Sequence, residues 1–248
     1  MNYIAPTPHT LKRLIVSFDA PISPKQISAF RGAIVNLIGR ENSLLFHNHL
    51  GDKKFRYGYP LIQYKHLHQK PALVCVGEGV EEIHKFFQQE DWTINLAGET
   101  MQLRIAKLEM KELRLQMLEN MRTYRIRYWV ALNDEAKKRY ENLDNLAERI
   151  TMLEQILAGN IISMAKGINW QVPDRIECKV VDLGKHYFVP IKRVKKQVFN
   201  LTFKTNVFLP NDIGLGRHAS LGFGTIWQVN PPRKFSKNSV KQYTKVES

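Results

Sequence analysis

Cysteine is scarce in this chain of 248 residues: there are two, Cys75 and Cys178, about a hundred positions apart and in no CxxC spacing. A disulfide framework or a thiolate metal site is not expected from such a pair. Both stand in apolar, strand-like runs, so the expectation is two buried thiols in a cytoplasmic protein. Long hydrophobic runs are missing as well. No stretch approaches the roughly 18 apolar residues that a membrane span needs, and the opening MNYIAPTPHT has no secretory apolar segment; no membrane partner is expected. Acidic residues are in short supply, 23 Asp and Glu against 37 Lys and Arg, for a formal net charge of +14. That balance points to a polyanionic partner. What is present in quantity is ordinary: 44% hydrophobic and 24% charged residues describe a globular chain, long enough for one large domain or two small ones.

The positive charge is unevenly placed. Residues 1–120 hold 15 basic and 12 acidic side chains, residues 121–248 hold 22 and 11, and the stretch 175–248 alone holds 14 and 4. A local excess of this kind favours a phosphate-binding face, because every phosphate neutralised releases condensed counterions. Nucleic acid is the partner this distribution favours over a generally basic surface.

Hydrophobic periodicity divides the chain. LKRLIVSF (11–18) reads as a β-branched strand, and Ser23 with Pro24 opens a helix to about Ile38, with Ile27, Phe30, Ala33, Ile34, Leu37 and Ile38 at helical spacing. FRYGYPLIQY (55–64) and ALVCV (72–76) read as strands, Val80 to Gln88 as a second helix, and 92–98 with 101–110 as a hairpin turning near Gly98. The order βαββαβ is the ferredoxin-like unit, which RNA-recognition modules share. The second half opens with TYRIRYWVAL (123–132), where Arg125 and Arg127 alternate with Tyr124, Ile126 and Tyr128, so that one face is cationic and the other feeds a core. Residues 134–166 read as two helical segments with a stripe of Leu143, Leu146, Ile150, Leu153, Ile156 and Leu157. Long alternating strands follow to about 210, and TIWQV (225–229) is the last. The expected class is α+β: a first, ferredoxin-like domain over 1–120, a second domain over 121–230, and a basic mobile tail over 231–248.

GLGRHASLGFG (214–224) places Gly214, Gly216, Gly222 and Gly224 in two GxG pairs around Arg217 and His218. Its first six residues also fit a dinucleotide fingerprint, but no helix, further strand and ribose-binding acid follow. No GK[ST] follows either, so it is no Walker loop. Two readings remain: a turn before a terminal strand, or a loop whose small residues let backbone N–H groups approach phosphates. Paired GxG motifs followed by a short strand resemble the glycine-rich loop of the repeat-associated RNA-binding superfamily of CRISPR systems. The closest likeness there is to the endoribonucleases that cut CRISPR precursor transcripts within their repeats. The resemblance implies two tandem ferredoxin-like (RRM-like) domains, CRISPR repeat RNA as partner, and a catalytic histidine following the first helix. It also leaves open a place in a CRISPR effector complex and a homodimer. One departure is visible: no obvious second helix precedes the loop, so the second domain reads as incomplete.

His47 and His49 stand where the resemblance places catalysis, in LLFHNHLGDKKFRYGY. In an extended chain an i, i+2 pair points both rings to the same side. Two imidazoles, each titrating near about 6.5 when unperturbed, serve together as base and acid. RNA supplies a nucleophile in its own 2′-hydroxyl, giving a 2′,3′-cyclic phosphate and a 5′-hydroxyl; no metal or other cofactor is expected. Lys54, with Lys53 and Arg56 beside it, is a candidate for stabilising charge on phosphorus, and Tyr57 for an added hydrogen bond. The alternatives are histidines that only contact phosphate, and a metal site, for which HxH with Asp52 is a weak set because three or four ligands are needed. His66 and His68 form a second HxH in a turn between strands and read as surface or RNA-contacting residues. IKRVKKQ (191–197) gathers Lys192, Arg193, Lys195 and Lys196 beside a strand. They suit phosphate contacts from a hairpin and equally suit a solvated edge strand. A non-catalytic RNA-holding subunit and a protein-binding scaffold are the competing functions.

Overall fold

The structure, a computed structural model, describes residues 9–39, 44–47, 49–50, 54–55, 58–191 and 194–229. Two four-stranded antiparallel sheets organise it. In the first half the elements are β1 (His9–Phe18), α1 (Ile27–Ile38), α2 (Leu44–His47), β2 (His49–Leu50), β3 (Lys54–Phe55), β4 (Ile62–Leu67), β5 (Lys70–Val76), α3 (Glu78–Glu82), α4 (His84–Phe87), β6 (Thr93–Leu96), β7 (Glu99–Gln102) and β8 (Ile105–Leu115). The second half has β9 (Met117–Trp129), α5 (Asp134–Glu141), α6 (Leu146–Gly167), β10 (Cys178–Ile191), β11 (Val194–Val207) and β12 (Thr225–Gln228). The sheets are ordered β4-β5-β1-β8 and β10-β11-β9-β12. Within each half that is the same sequence, second-third-first-fourth, which is the ferredoxin-like arrangement. Gln116 alone separates β8 from β9.

Several boundaries differ from the sequence expectation. Ser23 and Pro24 start a single 3-10 turn closed by a capping box with Gln26, and α1 follows it. The strand expected over 55–64 is interrupted: β3 ends at Phe55 and β4 begins at Ile62, after Pro60, which has no N–H to give to a ladder. The helix of 80–88 is two short pieces broken at Ile83. The hairpin expected from 92–110 is β6 and β7 alone, turned at Ala97–Gly98, while β8 leaves it to pair with β1 from Phe18↔Ile105 to His9↔Leu115. The stripe on α6 keeps Leu153 and Leu157 but continues through Ile161, Met164 and Ala165; Leu146 faces solvent.

One face of the first sheet, through Leu14, Val16, Phe18, Leu73 and Cys75, packs on α1 and α4 around Phe30, Ile34 and Phe86. Its other face joins the second half: Leu11, Ile15, Val74 and Val76 belong to one apolar cluster with Leu157, Ile161, Met164 and Phe203. Both cysteines are buried and unpaired, and burial pushes the Cys178 thiol up to about 12. Asn133 and Asn145 cap α5 and α6 by accepting from the N–H groups of Ala136 and Glu148. Among the described residues no helix is long and apolar enough to cross a membrane.

Candidate active site and nucleic-acid interface

The segment after α1 is held from below. Tyr64, fully buried on β4, donates its hydroxyl to the carbonyl of Phe46 at 3.2 Å, and Phe46 is itself buried. This fixes α2, which ends at His47. His49 opens β2 and Lys54 opens β3, and the two strands pair as His49↔Phe55 and Leu50↔Lys54. The backbones of all three residues are thus gathered within one helical turn and one small hairpin. The extended run expected through His47 and His49 is not formed: one residue ends a helix and the other starts a strand, so the alternation argument does not apply to them. Tyr57, like Lys53 and Arg56, lies outside the described residues. Beside this segment a cleft of about 400 Å³ opens between Leu45 and Gly58 of the first half and Ser163 and Lys166 of α6.

The glycine loop occupies the place where the second sheet would have its second helix; between β11 and β12 there is a single 3-10 turn, Ala219–Leu221. It lies along β4, the outer strand of the first sheet. Gly214 N–H donates to the Gln63 side chain at 2.8 Å, and Gly222 lies against the Tyr64 carbonyl. Gly224 N–H donates to the carbonyl of Tyr128 at 3.2 Å, and Leu215 N–H to the carbonyl of Gly224 at 2.9 Å. The N–H groups of Gly214 and Gly224 are therefore spent inside the protein, and both residues are buried; sequence reading had offered them to phosphate. Gly216, with a φ of 83°, packs against the indole of Trp129, whose N–H donates to Asn160 at 3.0 Å. Arg217 is exposed, its N–H directed to the Val130 carbonyl, and His218 adopts a left-handed backbone with its ring 6.1 Å from that of Phe223.

Beneath the loop is a polar joint that no spacing in the sequence announced. Lys65 is fully buried and donates from Nζ to Thr225 Oγ1 at 3.0 Å. Burial lowers its ammonium to about 7, against the opposing pull of Asp212. Burial likewise raises the Asp212 carboxyl, with Arg13 acting the other way. Arg13, 3% exposed, donates to the Asn211 carbonyl at 2.6 Å and to Glu109 at 2.8 Å. No sequence signal marks Lys65: alternating with Ile62 and Tyr64, it and Gln63 read as the solvent face of β4, and the second half covers that face.

Of the cationic positions, Arg125 and Arg127 are exposed on β9, on either side of buried Ile126. Arg127 lies over the ring of Trp227, 5.4 Å from its centroid. Lys195 is exposed, while Lys196 is tied to Asp134 at 2.6 Å; Lys192 and Arg193 lie outside the described residues. His66 lies within β4, one residue before its end, and His68 sits in the β4–β5 turn with a φ of 48°. Among the described residues no three His, Cys, Asp or Glu side chains gather to hold a metal ion.

Two ferredoxin-like sheets in tandem, locked together by a glycine-rich loop, define the class of fold. Family comparison agrees: residues 9–114 match the Cas6b N-terminal domain and residues 116–229 the Cas6b C-terminal domain. The chain belongs to the Cas6b family. A crystal structure of Cas6b superposes with a TM-score of 0.80 at 24% identity, covering 89% of this chain and 100% of that one. A second, described as the CRISPR RNA processing endoribonuclease Cas6b, gives 0.67 at 22% identity over 89% of this chain and 100% of the other. These likenesses bear on the fold. An uncharacterized protein of Methanocaldococcus jannaschii is 32% identical over 137 residues, 55% of this chain and 92% of that protein.

Proposed function

We propose that this protein is a metal-independent endoribonuclease that cuts CRISPR precursor RNA within its repeats. The observation that carries the reading is the match of both halves to Cas6b domains, with the histidine segment in the first and the glycine loop in the second. His47 and His49 act as base and acid. One imidazole takes the proton of the 2′-hydroxyl, whose oxygen attacks phosphorus. The bond from phosphorus to the 5′-oxygen breaks as the other, protonated imidazole gives that oxygen a proton. The products are a 2′,3′-cyclic phosphate and a 5′-hydroxyl. Lys54 supports the charge gathered on phosphorus, Tyr57 adds a hydrogen bond, and the cations of the second half hold the flanking phosphates. A second copy of the chain and the subunits of an effector complex are partners of this reading.

The test is cleavage of labelled repeat RNA in EDTA by the wild type and by a His47→Ala/His49→Ala double variant, with a matching RNA carrying one 2′-deoxy nucleotide at the cut. The expected result is cleavage by the wild type alone, lost on the deoxy RNA, with loss in the double variant of at least about 100-fold and RNA affinity that falls with rising salt. Tight binding without cleavage by either protein would turn the reading into an RNA-holding subunit. Cleavage that survives loss of both histidines would move the active site elsewhere.

A further inference from the structure

The sequence pattern assigns Tyr128 to the core face of β9, in step with Tyr124 and Ile126. It is not there. On β9 Ile126 pairs with Leu201 and Trp129 with Phe199, so Arg127 and Tyr128 together oppose the single residue Asn200. Ile126 and Trp129 are both fully buried; the two residues between them both turn outward, and Tyr128 is 51% exposed. This is a β-bulge, a device that re-aims side chains. Tyr128 holds a left-handed backbone with a φ of 49°, a conformation that costs a bulky residue of order 1–3 kcal/mol. Its surroundings enforce it: the Tyr128 N–H donates to Asn200 Oδ1 at 2.8 Å, and its carbonyl accepts from Gly224 of the glycine loop.

Exposed cations stand on the same strand and on the neighbouring loop. Arg125 and Arg127 are exposed on the same strand, and Arg217, also exposed, bridges Val130 two residues further on. Beyond it Val130, Val198 and Ile191 form a small buried cluster with Phe223 packed against it, and exposed Tyr187 pairs with Val198. Here a left-handed backbone brings the ring out to solvent, on a strand that also exposes Arg125 and Arg127.

We propose that Tyr128 is a stacking platform for an unpaired base of the RNA, with Arg125, Arg127 and Arg217 neutralising the phosphates on either side. The inference rests on the RNA-binding reading above and adds to it a place where single-stranded nucleotides cross the outer face of the second sheet. Stacking on an aromatic ring tolerates any base, and its loss costs about 5- to 150-fold in affinity per base.

The experiment titrates fluorescein-labelled single-stranded repeat RNA with the full-length wild type, Tyr128→Phe and Tyr128→Asn, and melts each protein. Asparagine gives up the ring but tolerates the left-handed backbone. Tyr128→Asn is expected to melt no lower than the wild type and yet bind about 5- to 150-fold more weakly, with the slope of log affinity against log salt unchanged because no phosphate contact is lost. Tyr128→Phe, which keeps the ring, should retain most of the affinity. RNAs with 4-thiouridine at successive positions, irradiated with the wild type, should crosslink to the peptide that contains Tyr128; this arm needs no variant. Equal affinity of wild type and Tyr128→Asn, or no crosslink to that peptide from any position, overturns the inference while leaving the RNA reading intact. A wild type that does not bind the RNA at all overturns both.

Discussion

A methyl group at Gly224 would sit 1.9 Å from the carbonyl oxygen of Leu215, on a residue whose φ is 62°. Backbone rather than a flexible side chain occupies the space, so relief requires the loop itself to move. At Gly222 the nearest atom to such a methyl is the Tyr64 carbonyl at 3.5 Å, and only the φ of 88° resists it. Alanine at Gly222 is expected to cost about 1–2 kcal/mol of left-handed strain, and alanine at Gly224 clearly more, because a clash adds to the strain. Denaturant unfolding of the two single variants orders them; equal losses would mean that the close approach at Gly224 relaxes without cost. The two glycines within each GxG pair therefore differ in burial, although a methyl at Gly216 would also meet the Trp129 indole nitrogen at 2.6 Å. Gly214 and Gly224 let chain segments touch, whereas Gly216 and Gly222 are half-buried at the surface of the loop.

At the scale of elements the tether under α2 is the most consequential contact. Tyr64→Phe removes the hydroxyl that holds the Phe46 carbonyl and keeps the ring that packs edge-on to Phe30. A loss of about 1–3 kcal/mol is expected, since a buried carbonyl loses its donor. Because α2 ends at the candidate His47, cleavage should fall while RNA affinity changes little; single-turnover cleavage and equilibrium binding on one preparation separate the two. Affinity falling in parallel with cleavage would mean that the tether supports the fold alone. Much at this scale was readable from the sequence: the ferredoxin-like order of the first half, the break between α5 and α6, the exposed Arg125 and Arg127. These follow from periodicity, caps and turn residues, which are local. The break at Pro60 was open to a local rule, since proline has no N–H to give to a ladder, but the departure of β8 from its neighbour hairpin was not readable, because tertiary pairing with β1 decides it. The bulge at Tyr128 escaped for the same reason: strict alternation counts residues on one strand, while a bulge is a mismatch between two.

Over the whole molecule, the joint of Arg13, Lys65, Asp212 and Thr225 couples the halves, and it titrates. Lys65 has its ammonium lowered by burial to about 7, from 10.5. Between those values the unfolded chain binds a proton that the folded chain has released, so this group makes stability rise with pH across that window and penalises the fold fully below it. Lys65→Met should flatten that rise. Urea unfolding of both proteins from about pH 6.5 to about pH 9.5 should show the wild type gaining on the variant as pH increases. Parallel curves would mean that the amine keeps its proton inside the joint. None of this was visible in the charge count, where Lys65 is one of 37 cations and nothing marks it as buried.

The loop that stands in for a helix has its underside on Gln63, Tyr64 and Lys65, residues of the other half. Synthesis from the N-terminus therefore matters to how the molecule comes together. The first sheet has all its strands once Leu115 has been made, about a hundred residues before Gly214 leaves the ribosome, and domains fold in that order as they emerge. The glycine loop thus meets a finished surface and is shaped against it, with the first half serving as the mould. A chain permuted so that residues 117–229 are made first would have to form the loop over empty space, and it should fold more slowly even where its final stability is the same.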